Sequence, residues 1–279
     1  MLFRSRFLQE GNCYEALANK KVIISAGIKS TKLLMLSGIG PSDQLIKANI
    51  PVVLDNPNVG QHLSNHAIVL AVFRTNPNDD PIPVDDSNAR LVGGAFLPSP
   101  MFGADPRRRD IQIIPFSGMN TLITGACILQ PKSRGTIKIQ SNDPLKIELG
   151  NEGFLNNPDD MTLLKKTFQV YIKTIAARLS AIDPQYKLIS PTIDIINDDI
   201  ALENFIRKNL GLMYHEQGAL RMAPSAETGV VNQCGEVFGV EDLIVADNSI
   251  IPFIVDGNTV AVAYLIGLTI AQQILAQGR

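Results

Sequence analysis

The chain has 279 residues, 45% of them hydrophobic and 19% charged, which is enough to bury a large core in one domain or two modest ones and excludes a disordered chain. A net charge of -2 gives no excess of Lys and Arg for a nucleic-acid face. The 3 cysteines, Cys13, Cys127 and Cys234, form no CxxC pair, which excludes a disulfide framework and a zinc ribbon and fits a reducing cytoplasm. The opening MLFRSRFLQEGN has no apolar core of the kind a secretory signal needs. In chain order, KKVIISAG (20–27) predicts a short strand, and STKLLMLSGIG predicts a helix capped at Ser30 or Thr31 and stopped by Gly38 and Gly40. NPNVGQHLSNH (56–66) is turn-rich and AIVLAVF (67–73) predicts a strand, followed by a loop-heavy stretch over 76–110. Within it, DPRRRD (105–110) reads as a solvated loop, because Asp105 and Asp110 flank the arginines and Pro106 breaks the run. DIQIIPF, ACILQP and GTIKIQ predict successive strands of one antiparallel sheet. NPDDMTLLKKTFQVYIKTIAARL (157–179) is the clearest amphipathic helix, with Leu164, Phe168, Tyr171 and Ile175 as the stripe facing the sheet. IALENFIRKNL predicts a second helix, GVV, EVFGV and LIVADNS predict strands, and TVAVAYLIGLTIAQQIL (259–275) predicts a buried helix too short to span a bilayer. The overall pattern is mixed: α/β pieces at both ends with an antiparallel sheet and helices between them, as when one domain is inserted in another.

Several motifs fail. SGIGPSD contains G-x-G but lacks the third glycine and follows a helix, and the chain holds no G-x-G-x-x-G, G-x-S-x-G or GKS/GKT. His62 and His66 are four apart, yet Leu63 stands where a metalloprotease needs its glutamate, and Pro57, Asn58 and Gly60 oppose a helix, so no metal is expected. GLMYHEQGALRM (211–222) holds the remaining histidine, His215. Packed core residue, metal ligand and acid/base all stay open for it on residue type alone, the first being the commoner fate of a lone histidine.

Four stretches together resemble the glucose–methanol–choline family of flavin-dependent oxidoreductases. They are SAGIKSTKLLMLSGIGP (25–41); NPNVGQHLSNH, with Asn65 where Asp is usual; LQPKSRGTIKIQSNDPLKIELG (129–150); and the run from YHEQGALRM to the terminal helix. The resemblance implies a C-terminal half only: residues 1–66 and 211–279 as part of an FAD-binding, Rossmann-like domain lacking its glycine-rich unit, and 67–210 as a substrate-binding domain with an antiparallel sheet backed by helices. It implies oxidation of CH–OH groups, with His215 as the base and Asn258 as the partner that hydrogen-bonds the substrate oxygen. It further implies cofactor contacts from Asp247 and Asn248 and from the Gly257–Asn258–Thr259 turn, whose helix end can face the flavin pyrimidine. Glu216, Ala219 and Ala223 depart from the family's H-P-x-G-T-x-x-M-G pattern, which puts the substrate class in question.

Two readings follow. In one, the chain is the catalytic half of an alcohol dehydrogenase or oxidase that acts on a small alcohol, with an N-terminal half-chain completing the FAD site. FAD is then weakly retained by this chain alone. In the other, it is a non-catalytic remnant or binding module that keeps only the substrate domain. Neither involves nucleic acid or a membrane span.

Overall fold

The computed structural model describes residues 3–75, 90, 91, 93–118 and 121–276. Of the loop-heavy stretch expected over 76–110, residues 76–89 and 92 lie outside them. The chain opens with a hairpin, β1 (Phe3–Gln9) and β2 (Asn12–Ala18), turning at Glu10 and Gly11, both with positive φ as a two-residue hairpin turn requires. Phe7 and Tyr14 stack across it with ring centroids 5.6 Å apart. β3 (Val22–Ile24) leads to α1 (Lys29–Leu36), then β4 (Ile39–Gly40), α2 (Ser42–Lys47) and β5 (Leu54–Asp55), with β4 and β5 parallel.

The middle of the chain builds a seven-stranded sheet from β6 (Ala67–Arg74), β7 (Arg90–Leu91), β8 (Ala95–Leu97), β9 (Ile111–Gly118) and β10 (Thr121–Ile128), together with two later strands. β11 (Thr136–Lys138) pairs instead with β12 (Leu149–Asn151) in a separate ribbon. GTIKIQ therefore forms a strand but leaves the sheet of its predecessors: the PKSRG turn redirects it, with Asp160 holding the N–H groups of Lys132 and Ser133 at 2.8 Å each. The helical layer is α3 (Pro158–Thr167), a π turn at Phe168–Ile172, and α4 (Lys173–Ile182). Asn157 caps α3 by accepting from the Asp159 N–H, and Pro158, Asp159 and Asp160 suit its first turn. β13 (Lys187–Ser190), α5 (Ile193–Asn197), α6 (Asp199–Asn209) and β14 (Leu210–Leu212) follow, and both strands pair with β6. Asp198 caps α6 through the N–H groups of Ile200 and Ala201.

The expected stripe on this helix is half right. Leu164 and Phe168 are fully buried, but beyond them the core takes Ile172 and Ala176, while Tyr171 and Ile175 sit at its margin. The π turn adds one residue to the turn and shifts the inward face by one position. Tyr171 uses its place at the edge to donate to the Pro98 carbonyl at 2.6 Å.

β15 (Leu243–Val245) pairs in parallel with β3, and α7 (Val260–Ala276) closes the described chain. GVV and EVFGV contribute only isolated bridges. Two cores result. One gathers Phe73, Ile113, Leu164, Phe168, Leu202 and Ile206 between the large sheet and its helices; the other gathers Leu34, Leu45, Val59, Leu220, Val245 and Ile270 around the β15–β3 pair. Two expectations for this second region are corrected. Ser30 and Thr31 do not cap α1, whose cap position is Ile28 and carries no side-chain hydrogen bond, because both lie buried in its first turn and the Ser30 hydroxyl is taken by Asp247. And α7 is not buried: of its residues only Ile270 is, while Val260, Tyr264, Leu265, Leu268 and Leu275 are exposed. No helix among the described residues is long and apolar enough to cross a membrane.

Candidate active site

The site lies where the end of β14 meets the segment before β6. Ser64 and Gln217 exchange backbone hydrogen bonds at 2.9 Å in both directions, and the Met213 N–H donates to the His66 carbonyl at 3.1 Å. Asn65 ties the two segments at their histidines: its Oδ1 accepts from the N–H of His66 at 2.8 Å and of His215 at 2.9 Å. Gly60, with φ +80, packs so closely on the next ribbon that a Cβ would stand 2.3 Å from the Ile137 carbonyl oxygen. Tyr214 holds φ 56, a left-handed conformation unfavourable to a bulky residue, directly before His215. This turn swings the His215 ring inward while leaving Tyr214 exposed.

The rings form a short relay. His66 Nε2 lies 3.1 Å from the Leu129 carbonyl oxygen, and its Nδ1 lies 2.9 Å from His215 Nδ1, with the two rings edge-on. His215 Nε2 lies 3.2 Å from Asn258 Nδ2, and Gln112 Nε2 donates to Asn258 Oδ1 at 3.5 Å. His66 is 0% exposed and His215 7%. Burial, joined by the neighbouring His215, pushes His66 down to about 4 against the opposing pull of the Leu129 and Val255 carbonyls, and burial lowers His215 as well. Both rings are therefore neutral near pH 7, as a proton acceptor must be.

His215 and Asn258, 43 positions apart, thus converge. The other residues singled out from the sequence frame them. The Asp247 carboxylate is spent inside the chain: one oxygen accepts from the Gly27 N–H at 3.0 Å and the Ser30 hydroxyl, the other from the Ser249 N–H at 2.8 Å and the Ser249 hydroxyl. Asn248 donates from Nδ2 to the Thr259 carbonyl at 3.4 Å, while its Oδ1 is buried with no hydrogen-bond partner among the described residues. Its own carbonyl accepts from the Gly218 N–H at 3.2 Å, so the Asp247 turn, the loop after His215 and the start of α7 form one connected frame. The Gly257 N–H turns back to the Val255 carbonyl, and Thr259, buried, accepts from Ala263 in the first turn of α7. Ala219 is buried with its carbonyl engaged by the Gly60 N–H. Glu216 lies near Glu152, whose carboxyl is raised first by burial and then by the Glu216 charge.

Two neighbours of this pair had no role assigned from the sequence. His66 entered there through the NPNVGQHLSNH block and through its four-residue spacing from His62, which does not support a metal. Gln112 is a buried polar residue in the apolar run IQII, a signal that is present in the sequence but has no partner there.

Residues 131–267 match the family model described as GMC oxidoreductase. Choline oxidase of Arthrobacter globiformis is 30% identical, the match covering 92% of this chain and 49% of that protein. The 5-(hydroxymethyl)furfural oxidase of a Methylovorus species is 29% identical over 92% of this chain and 51% of its own length. The chain thus spans about half the length of the curated relatives it matches. Among solved structures, a fungal aryl-alcohol oxidase superposes with a TM-score of 0.84 at 21% identity, covering 99% of this chain and 58% of the other. Pyridoxine 4-oxidase from Mesorbium loti gives 0.83 at 20% identity, covering 97% and 54%. By these matches the chain is similar to glucose–methanol–choline oxidoreductases and corresponds to the C-terminal part of the relatives it matches.

Proposed function

We propose that this chain supplies the catalytic and substrate-binding part of an FAD-dependent oxidoreductase acting on CH–OH groups of small alcohols. The observation that carries the reading is the approach of His215 Nε2 to Asn258 Nδ2 at 3.2 Å, a proton acceptor and a hydrogen-bond donor aimed at one point. His215 Nε2 removes the hydroxyl proton of the alcohol. Asn258 Nδ2 donates to the same oxygen and stabilises the charge that grows there. Gln112 keeps the Asn258 amide turned with its donor toward that oxygen.

The residues beside this pair fit a flavin. The bare, buried Oδ1 of Asn248 is an acceptor waiting for a donor, and the first turn of α7 offers N–H groups without helical partners. An acceptor next to several donors suits the N–H and carbonyl groups of a flavin pyrimidine, so Asn248, Gly257, Asn258 and Thr259 are assigned to that end. Asp247 serves it by locking Gly27, Ser30 and Ser249 into the frame. When bound, FAD supplies the hydride acceptor. No glycine-rich phosphate loop occurs in the sequence, so we assign residues 1–66 and 211–279 to a cofactor domain completed by an N-terminal half, and 67–210 to the substrate domain. This chain alone then retains little FAD. The three unpaired cysteines favour a cytoplasmic setting.

The test supplies an N-terminal cofactor-binding half from a relative, isolates the complex, and adds primary and aryl alcohols without oxygen. Bound flavin whose absorbance bleaches on addition of alcohol is the expected result. A complex that holds flavin and never bleaches, or that forms without flavin, would leave the chain a binding module instead.

A further inference from the structure

The protons in the histidine relay are placed by its two ends. The Leu129 carbonyl can only accept, so His66 Nε2, at 3.1 Å, carries a proton. A neutral imidazole has one N–H, which leaves His66 Nδ1 a bare lone pair. That lone pair faces His215 Nδ1 at 2.9 Å, a hydrogen bond only if His215 donates. At the far end Gln112 Nε2 donates to Asn258 Oδ1, which turns the Asn258 Nδ2 donor onto His215 Nε2. The Leu129 end requires His215 protonated on Nδ1 and bare on Nε2, and the Asn258 amide as placed matches that state.

We propose that His66 is a positioning residue that fixes the tautomer and orientation of His215, so that its bare Nε2 faces the substrate hydroxyl. The use of this arrangement rests on the alcohol-oxidising reading above; the arrangement itself does not. In water a histidine side chain prefers its proton on Nε2, the nitrogen that here must be empty. Without an acceptor at Nδ1 the ring would present an N–H to the hydroxyl and accept nothing. When the O–H bond breaks and the new N–H forms on Nε2, His215 becomes an imidazolium, and its Nδ1–H still points at the His66 lone pair. His66 then does for His215 what a carboxylate does for the histidine of a hydrolase triad, without adding a charge. The ring spacing is set by the main chain, since Asn65 accepts from the N–H groups of both histidines and His66 is fully buried.

The chain has 3 histidines, so labelling them with nitrogen-15 gives three ring systems whose tautomers long-range proton–nitrogen correlation distinguishes. At pH 7.5 the protein is expected to show His215 with its proton on Nδ1 and His66 with its proton on Nε2. His66→Phe keeps an aromatic ring and removes the acceptor; His215 is then expected to move its proton wholly or partly to Nε2. His66→Asn offers an amide oxygen near the lost Nδ1 and is expected to restore the Nδ1–H form. In the complex with a cofactor-binding half, His66→Phe should lower kcat by roughly ten- to a hundredfold, within the range of a misplaced general base, with KM little changed and partial recovery in His66→Asn. A wild-type His215 protonated on Nε2, or an Nδ1–H form that survives in His66→Phe, would overturn the proposal. If His66→Phe does not fold, the wild-type and His66→Asn spectra decide it. The expected tautomers in a complex inactive toward every alcohol would instead remove the functional reading and leave this one standing.

Discussion

The two cores of the molecule are finished to different degrees. The large sheet is covered by α3, the π turn, α4 and α6, and its helices are capped by Asn157 and Asp198. The second core rests on two short parallel pairs, β3–β15 and β4–β5, and exposes Ile23 on β3 together with much of the apolar surface of α7. Parallel strands normally lie inside larger sheets covered on both faces, and Tyr264, at 77% exposure, stands on a helix whose composition is that of an interior. The first region satisfies itself, whereas the second is composed for contacts that the described residues do not supply. The site sits on the join, with His215 following β14 of the large sheet and Asn258 preceding α7.

The comparison breaks first on stability. Phe168→Ala, emptying a fully buried position in the large-sheet core, is expected to cost about 3–5 kcal/mol, read as the shift of a urea midpoint. A loss below about 1 kcal/mol would mean that this core is not the rigid one. Asp247→Ala tests the other side. It removes four internal hydrogen bonds and strands the hydroxyls of Ser30 and Ser249, an expected loss of roughly 2–4 kcal/mol. A neutral result would show that the second region is not ordered without further chain.

Acid should strike the join. His62, His66 and His215 are all held below the ordinary histidine value, His66 to about 4. The unfolded chain therefore binds protons that the folded chain refuses, and stability is expected to be full above pH 6.5 and to fall as the pH drops toward 4. Urea midpoints at pH 7.5, 6 and 5 check it, and a flat or rising profile on acidification would contradict the neutral pair. The smallest effect is on α7: Leu265→Lys or Leu268→Lys, at exposed positions, is expected to change the stability of the isolated chain by less than about 0.5 kcal/mol, yet to abolish capture of a cofactor-binding half in a pull-down. Equal capture by these variants would show that α7 is not the face that is covered.

Much of this was legible in the sequence where the determinant is local. Alternation wrote β6, a run bounded by turn residues wrote β9 and only the end of β10, which starts at Thr121, well before ACILQP, and Pro158 with its two aspartates wrote the start of α3. His215 and Asn258 were singled out through family resemblance, not through spacing. Where a residue's fate is decided by a distant one, the reading went astray. Ser30 has the chemistry of a cap but serves Asp247, 217 positions away. The stripe from Leu164 was phased for regular helix, and one π turn moved its lower half. The apolar terminal helix was taken as buried because hydrophobicity records what a surface is composed to touch, not what touches it here. His66 could not be assigned, since its meaning arises only when Asn65 and β14 bring His215 to its ring.

The central claim, that His215 is the base of an alcohol oxidation, is tested most directly by the rate of anaerobic flavin reduction by alcohol in the complex with a cofactor-binding half, compared with the same complex carrying His215→Ala. The account predicts a fall of about a hundredfold or more at unchanged flavin content. An unchanged reduction rate with flavin fully bound would contradict it.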